Sequence, residues 1–213
     1  MLGFFERRDF LCGEKVWLGR YQNLTNVLHW HFECELIRIV RGSASIKIGD
    51  RYFEATAGDC FFCSGEELHS IISHAATQID VAIFDKDLLK EITGQYALAS
   101  PKLPEDLPIR EHFEAIHSAT ATKAQFYNVA TENQARSLIV RIFQRCPLVK
   151  HEKKPSLHKT LIARINRDFA FITFEDAVGH CGYSPAHFSK TFKRIMGKSP
   201  REWRRQSEEE KGK

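Results

Sequence analysis

Four side chains with metal-ligand chemistry stand in two short stretches: His29, His31 and Glu35 in HWHFECELIRIVRG, and His69 in GDCFFCSGEELH, eleven residues after Gly58. Three neutral imidazoles and one carboxylate form a donor set that suits iron, manganese, nickel or zinc. Side chains alternate along an extended strand, so on one strand His29, His31 and Glu35, all odd in number, could share one face. The same residue types also contact small ligands or pair with one another inside a barrel. Cys60 and Cys63 form a Cys-x-x-Cys, the spacing of many zinc and redox sites. In a strand-like run their three-residue offset points them to opposite faces, which predicts two ordinary buried cysteines.

The elements that must carry these residues are short strands. From Val16 to about Asp85 the runs VWLGRYQ, ELIRIV, ASIKIG, RYFEA, CFFC, HSIIS and QIDVAIF are separated by Arg41-Gly42-Ser43, Gly49-Asp50, Gly58-Asp59 and Ser64-Gly65. Gly49-Asp50 lies between two alternating runs and predicts a two-residue hairpin, because glycine supplies the positive φ of such turns. Six or seven closely spaced strands predict a β-sandwich or small barrel.

Near Asp87 the character changes. Ser100-Pro101, Pro104 and Pro108 mark an irregular crossing, after which Ala135, Leu138, Ile139, Ile142, Phe143 and Cys146 repeat as the buried face of one helix, ended by Pro147. That face either packs on the sheet or forms the seam of a two-helix dimer contact. The polar stretch KHEKKPS at 150–156 separates this helix from the C-terminal end of the chain.

The chain has 213 residues, 43% hydrophobic and 27% charged, with a formal net charge of +4. No apolar run approaches the roughly 18 residues of a spanning helix, and the charged start does not read as a signal peptide, so no membrane partner and a cytoplasmic location are expected. The six cysteines show no framework spacing, which predicts reduced thiols. The charge is unevenly placed: 10 Lys/Arg against 14 Asp/Glu in residues 1–100, 9 against 6 in 101–156, and 12 against 7 in 157–213. A basic C-terminal end predicts a nucleic-acid-facing module.

That end carries the most specific pattern. LHKTLIARINRDF places Leu157, Leu161, Ile162 and Ile165 on one helix face, and Thr173 with Asp176 opens the next helix as a capping-box-like start. Gly182 stops that helix and Ser184-Pro185 starts another, Ser as N-cap and Pro at the first helical position. Phe188, Phe192 and Ile195 form its buried stripe, leaving Ala186, His187, Ser189, Lys190, Lys193 and Arg194 toward solvent. Gly197 ends it and Ser199-Pro200 opens a further helix through Trp203. Two helices across a short glycine-containing turn make a helix-turn-helix.

The segment ITFEDAVGHCGYSPAHFSKTFKRIMGKSPREWRR resembles the DNA-binding motif of AraC-type transcriptional regulators: a short helix, Gly-aromatic-Ser, then a helix running into Phe-Lys-x-x-x-Gly-x-Ser-Pro. The resemblance makes the helix from Pro185 to Met196 the recognition helix. Pro185, Ala186, His187, Ser189 and Lys190 lie toward its N-terminal end; Ala186, Ser189 and Lys190 are the candidates for base edges, and Lys193 and Arg194 for phosphates. Lysine can donate to guanine acceptors and alanine can pack on a thymine methyl. Val178 stands where such motifs usually place alanine. Family members carry two such units and the sequence shows one, which predicts weak binding by a single copy.

The stretches holding His29, His31, Glu35 and His69 resemble the two motifs of the cupin barrel, whose three His and one Glu bind a divalent metal; Asn23 and Ser64 replace that family's usual first glycine and second-motif proline. AraC-type sensing domains are themselves cupin-like, so the resemblance covers most of the chain. It implies a multi-domain β + α protein, with an N-terminal cupin-like β-barrel, a helical linker and dimerisation region, and a C-terminal all-α helix-turn-helix.

The expected boundaries are a sensing barrel at 1–95, the helical region at 96–156, the helix-turn-helix at 157–206 and a frayed tail at 207–213. The expected function is that of a sequence-specific DNA-binding regulator and not an enzyme. It would respond to a small effector held by His29, His31, Glu35 and His69, with a divalent metal possible at the same residues but not required, and would act as a homodimer. The alternatives are a metal-dependent cupin enzyme, an oxygenase or isomerase, and a truncated regulator that binds DNA weakly and acts through dimerisation.

Overall fold

The computed structural model describes residues 4–6, 8, 10, 13–150, 175, 178, 184–196, 199–202, 204 and 205. The chain divides into two compact units, one of residues 6–151 and one of residues 1–5 with 152–213.

In the second of these units lies a two-residue strand, β1 (Phe4–Phe5); the first then contributes β2 (Val16–Gln22), β3 (His29–Trp30), β4 (Cys34–Arg41), β5 (Ser43–Ile48), β6 (Arg51–Thr56), β7 (Cys60–Cys63), β8 (His69–Ser73) and β9 (Gln78–Phe84). Each expected run forms a strand, with boundaries that coincide or shift by one residue at an end. Strands β2, β9, β4 and β7 make one antiparallel sheet in that order, and β3, β8, β5 and β6 lie side by side in the other. The β5–β6 turn is the predicted hairpin: Ile48 pairs with Arg51, and Gly49 alone of the two turn residues has a positive φ, +58°, as a type II′ turn needs at its first central position.

Period-two alternation sorts the four-stranded sheet of β2, β9, β4 and β7 into two faces. Its inner face contributes Ile37, Ile39, Phe61, Cys63, Ile79, Val81 and Ile83 to a core shared with Ala44, Ile46, Ile48, Ala55 and Ile71 of the facing sheet. Its outer face contributes Leu36, Cys60, Phe62, Ala82 and Phe84 to a second core with the helices. Three helices come next: α1 (Lys86–Thr93), α2 (Ile109–Thr122) and α3 (Tyr127–Arg145). Between α1 and α2 lies β10 (Tyr96–Leu98), and after α3 comes β11 (Leu148–Lys150), which pairs with it.

The stripe Ala135, Leu138, Ile139, Ile142, Phe143 and Cys146 is buried in that second core with Phe113 and Ile116 of α2, so it packs on the sheet and is not a dimer seam. The proline-rich crossing also joins the barrel: Phe62 N–H donates to the Pro101 carbonyl at 2.8 Å, Leu103 N–H to the Cys60 carbonyl at 2.9 Å, and Lys102 reaches Asp59 at 2.6 Å. Residues 96–151 therefore belong to the same compact unit as the strands.

In the second unit α4 (Pro185–Met196) spans the predicted helix. It begins with Phe188 N–H donating to the Ser184 carbonyl at 2.9 Å. Ser199 and Glu202 form a capping box at the next helical start, with Ser199 N–H donating to Glu202 Oε2 at 2.8 Å and Glu202 N–H to Ser199 Oγ at 3.3 Å. The run at 157–169, Thr173, Asp176, Gly182, Gly197 and Trp203 lie outside the described residues. No described helix is long and apolar enough to cross a membrane.

Candidate functional site

His29, His31, Glu35 and His69 come together inside the barrel, all buried, each offering one donor atom within 4.8 Å of the others. The expectation that His29, His31 and Glu35 share the face of one strand is corrected. β3 ends at Trp30 and β4 begins at Cys34, in the opposite sheet, so the chain crosses between sheets at 31–33. His29 and His69 face each other as register partners of β3 and β8, Glu35 projects from β4, and His31 sits in the crossing.

The crossing is held by close backbone approach. Glu66 N–H donates to the His31 carbonyl at 2.6 Å, and a Cβ on Gly65 would collide with the Phe32 carbonyl oxygen. A side chain at residue 65 would push against the backbone of the crossing at Phe32.

Hydrogen bonds fix the tautomer of all three imidazoles. Nδ1 of His29 lies 2.9 Å from the Val27 carbonyl oxygen, that of His31 3.1 Å from the Glu33 carbonyl oxygen, and that of His69 2.8 Å from the Glu67 carbonyl oxygen. A carbonyl only accepts, so each Nδ1 carries the proton and each neutral ring presents an Nε2 lone pair inward. His31 Nε2 is 3.1 Å from Glu35 Oε2, His69 Nε2 is 3.7 Å from the same oxygen, and the buried Nε2 atoms of His29 and His69 have no hydrogen-bond partner among the described residues.

Lone pairs facing a carboxylate at these distances need positive charge between them, supplied either by protons on the rings or by one shared cation. Burial pushes the His29 pKa down and disfavours the proton there. Burial also opposes charge on His69, but the Glu35 carboxylate 3.7 Å away outweighs it and raises that pKa. Burial alone would raise the Glu35 pKa; the hydrogen bond with His31 and the nearby His69 ring instead hold it well below the ordinary carboxylate range. The orphaned Nε2 atoms, with outer nitrogens already anchored to backbone carbonyls, are the arrangement in which protein imidazoles hold a transition metal. A divalent ion fits this donor set.

Two residues that sequence reasoning missed stand beside it. Glu6 Oε2 lies 3.2 Å from His29 Nε2 and accepts from Arg8 Nη2 at 2.9 Å, and Glu6 N–H donates to the Trp30 carbonyl at 2.9 Å. Their sequence signal was slight, an alternating pair of opposite charges ahead of the first long strand. Half-buried Tyr21, Trp17, Phe10, Leu24 and Phe53 pack against the inner core nearby. Burial raises the Tyr21 pKa, partly offset by the positive charge of Arg8.

A second polar cluster lies on the outer face of the sheet. Asp80 accepts from Arg20 Nε at 2.6 Å and Nη2 at 3.0 Å and from Arg38 Nη1 at 3.3 Å, while Arg20 Nη2 also reaches Glu114 of α2 at 3.3 Å. This network ties α2 to β2, β4 and β9. The Cys-x-x-Cys is not a site: Cys60 faces the outer core and Cys63 the inner one, both thiols are free, and burial pushes Cys60 up to about 12 and Cys63 well above its ordinary value.

On α4, Phe188 and Phe192 are buried with ring centroids 5.8 Å apart, while Pro185, Ala186, Lys190 and Lys193 are exposed and Ser189 is half-buried. Ala186, Lys190 and Lys193, at i, i+4 and i+7, share the solvent face. The side chains of His187 and Arg194 lie outside the described residues. Val178 is helical and buried.

Comparison with known proteins places both parts of the chain. Residues 18–139 match the AraC-like ligand binding domain, and residues 172–205 match the bacterial regulatory helix-turn-helix proteins of the AraC family. Over 103 residues the chain is 29% identical to the HTH-type transcriptional activator RhaR of Yersinia pseudotuberculosis serotype O:1b (strain IP 31758), covering 47% of this chain and 36% of that protein. RhaR of Yersinia pestis bv. Antiqua (strain Angola) matches to the same extent. The chain thus matches little more than a third of the length of these relatives.

Among solved structures, an RmlC-like cupin from Shewanella frigidimarina NCIMB 400 is similar at 15% identity and TM-score 0.32, over 33% of this chain and 67% of that one. Oxalate decarboxylase of Bacillus subtilis is similar at 26% identity and TM-score 0.31, over 34% of this chain and 22% of that one. With a ligand-binding-domain match over more than half of its length and the family's DNA-binding motif behind it, the chain belongs to the AraC family of transcription regulators.

Proposed function

We propose that the protein binds DNA sequence-specifically through α4 and responds to a small effector held in the barrel, acting as a regulator and not an enzyme in the cytoplasm. The observation that carries this reading is the division of α4, with Phe188 and Phe192 buried and Ala186, Lys190 and Lys193 exposed on the opposite face of a family-matched helix-turn-helix. Pro185, Ala186, His187, Ser189 and Lys190 are assigned to the groove, with Ala186, Ser189 and Lys190 at base edges; Lys193 and Arg194 are assigned to phosphates.

In functional terms residues 1–95 sense, 96–156 transmit and pair, 157–206 read DNA, and 207–213 form a tail. His29, His31, Glu35 and His69 are the effector contacts, with a divalent ion as their shared ligand; that ion would supply Lewis acidity to a ligand donor atom. Coupling is short. Glu35 is on the inner face of β4, and the next residue, Leu36, is on the outer face in the core that holds α2 and α3. A ligand that shifts β4 therefore acts on the packing of both helices. Two chains pair through the helical region, where Phe126, Val129 and Val140 expose apolar side chains away from the buried stripe, and so present two α4 helices to DNA about 34 Å apart.

Gel-shift titration against promoter fragments at several salt concentrations tests this reading. A sequence-selective shift by a dimeric sample is expected, and its absence at low salt contradicts it. The donor set favours a second reading, a metal-dependent cupin oxygenase or isomerase. Turnover dependent on tightly held metal, from a protein that shows no selective DNA shift, would establish that instead.

A further inference from the structure

One carboxylate oxygen, Glu6 Oε2, accepts from the Arg8 guanidinium at 2.9 Å and lies 3.2 Å from the inward Nε2 of His29. The Glu6 side chain is 41% exposed, so it enters the site from the solvent side and can leave it without unfolding the barrel. Arg8 is more enclosed, and its Nε is buried with no partner among the described residues. A guanidinium carries five donors arranged to grip a carboxylate with two parallel bonds, and Glu6 engages it through Nη2 alone. A buried, unsatisfied Nε costs free energy that a second acceptor oxygen would recover.

Charge leads to the same ligand class. The buried carboxylate of Glu35 already faces His31 and His69, whereas the Arg8 guanidinium is an anion position that the chain fills with its own Glu6 side chain. We propose that Glu6 is an internal stand-in for the effector, and that the effector is a small carboxylate which displaces Glu6 and takes Arg8 through Nε and Nη2 together. The half-buried Tyr21 and Trp17 offer an aromatic wall to the rest of such a molecule.

This deepens the effector-binding reading of the barrel and rests on it. Its test measures ligand binding directly and uses no DNA, so a failure here leaves the DNA-binding reading standing, and the reverse. Malonate, with malonamide as the neutral control, is titrated calorimetrically into the full chain, both chelator-treated and supplemented with cobalt(II). The proteins compared are wild type, Glu6→Gln and Arg8→Met, each checked for its thermal midpoint; Arg8→Lys serves as the conservative variant.

Removing an internal ligand that fills the site about nine-tenths of the time tightens malonate binding about tenfold. Glu6→Gln is expected to show that gain, Arg8→Met to lose binding, Arg8→Lys to recover part of it, and malonamide not to bind. Equal malonate affinity in wild type and Glu6→Gln overturns the proposal, as does undiminished binding by folded Arg8→Met or the absence of millimolar binding by Glu6→Gln in both metal states.

Discussion

His29 and His69 face each other across β3 and β8 as direct register partners, ring centroids 4.2 Å apart, each with its outer nitrogen on a carbonyl two residues earlier. Two backbone ladder positions thus set two inward lone pairs before any ligand arrives, and Glu35 meets them from the other sheet. The preorganisation belongs to the fold, so the site should bind metal without folding around it.

Metal analysis and cobalt(II) titration check this directly. Wild type is expected to bind one equivalent. His31→Ala and His69→Ala each remove an inward donor and should weaken binding by roughly 100-fold or more, beyond the usual loss from disturbing an outer partner. Uptake unchanged in both variants would show that the cluster is a hydrogen-bonded interior and no metal site.

The metal-free barrel should be acid-sensitive through Glu35. Its folded-state pKa is depressed by His31 and His69, so its contribution to stability is fully present above the ordinary carboxylate value of about 4.3 and is lost as pH falls toward the folded-state value. Urea midpoints of chelator-treated protein should therefore drop between about pH 5 and pH 3 in wild type. Glu35→Gln should flatten that drop, and a parallel decline in the variant would assign the acid limb to other groups.

Asp80 is buried between two arginines and secures β9 to Glu114 of α2 through Arg20. Asp80→Asn keeps the shape but leaves both guanidiniums without their shared charge, at a cost of about 2–4 kcal/mol, moderated by the partial exposure of Arg20. Arg20→Lys loses the two-pronged contact and should cost less. Chemical denaturation of the three proteins ranks them.

The α3 stripe shares one core with the sheet, so Ile142→Ala should cost roughly 2–5 kcal/mol. Hydrogen exchange gives the sharper reading. Amides of β4 and β9 should lose protection by the same amount as those of α3, because residues 6–151 form one unit. Loss confined to α3 would support a boundary near residue 96.

The range of each interaction decides how far the sequence alone reveals it. Strand runs, the Gly49-Asp50 hairpin and the Ser199 cap are settled within a few residues, and each appears where alternation or capping chemistry puts it. The four-residue cluster is also visible, through the local spacing of His29, His31 and Glu35 and through the two-motif resemblance that adds His69. Its geometry is not. Parity along one strand assumes a continuous strand, whereas the chain changes sheets between Trp30 and Cys34, and that depends on pairing with β8 and β9 far along the chain. The α3 stripe is legible as a buried face, but only the outer face of the sheet decides what buries it. Glu6, Arg8 and the Arg20–Asp80–Glu114 network are contacts across long sequence separations between residue types common on any surface, and nothing local marks them.

The central claim, that α4 reads DNA sequence, is tested most directly by fluorescence anisotropy across a salt series. Wild type, Lys190→Ala and Lys193→Ala are compared on a selected promoter site and on its scrambled counterpart. Wild type should prefer the selected site. Lys190→Ala should cost about 1–3 kcal/mol on that site and little on the scrambled one, while Lys193→Ala should weaken both alike and lower the salt slope by about 1. Equal affinity of wild type for the two sequences, with both variants behaving alike, would contradict the account.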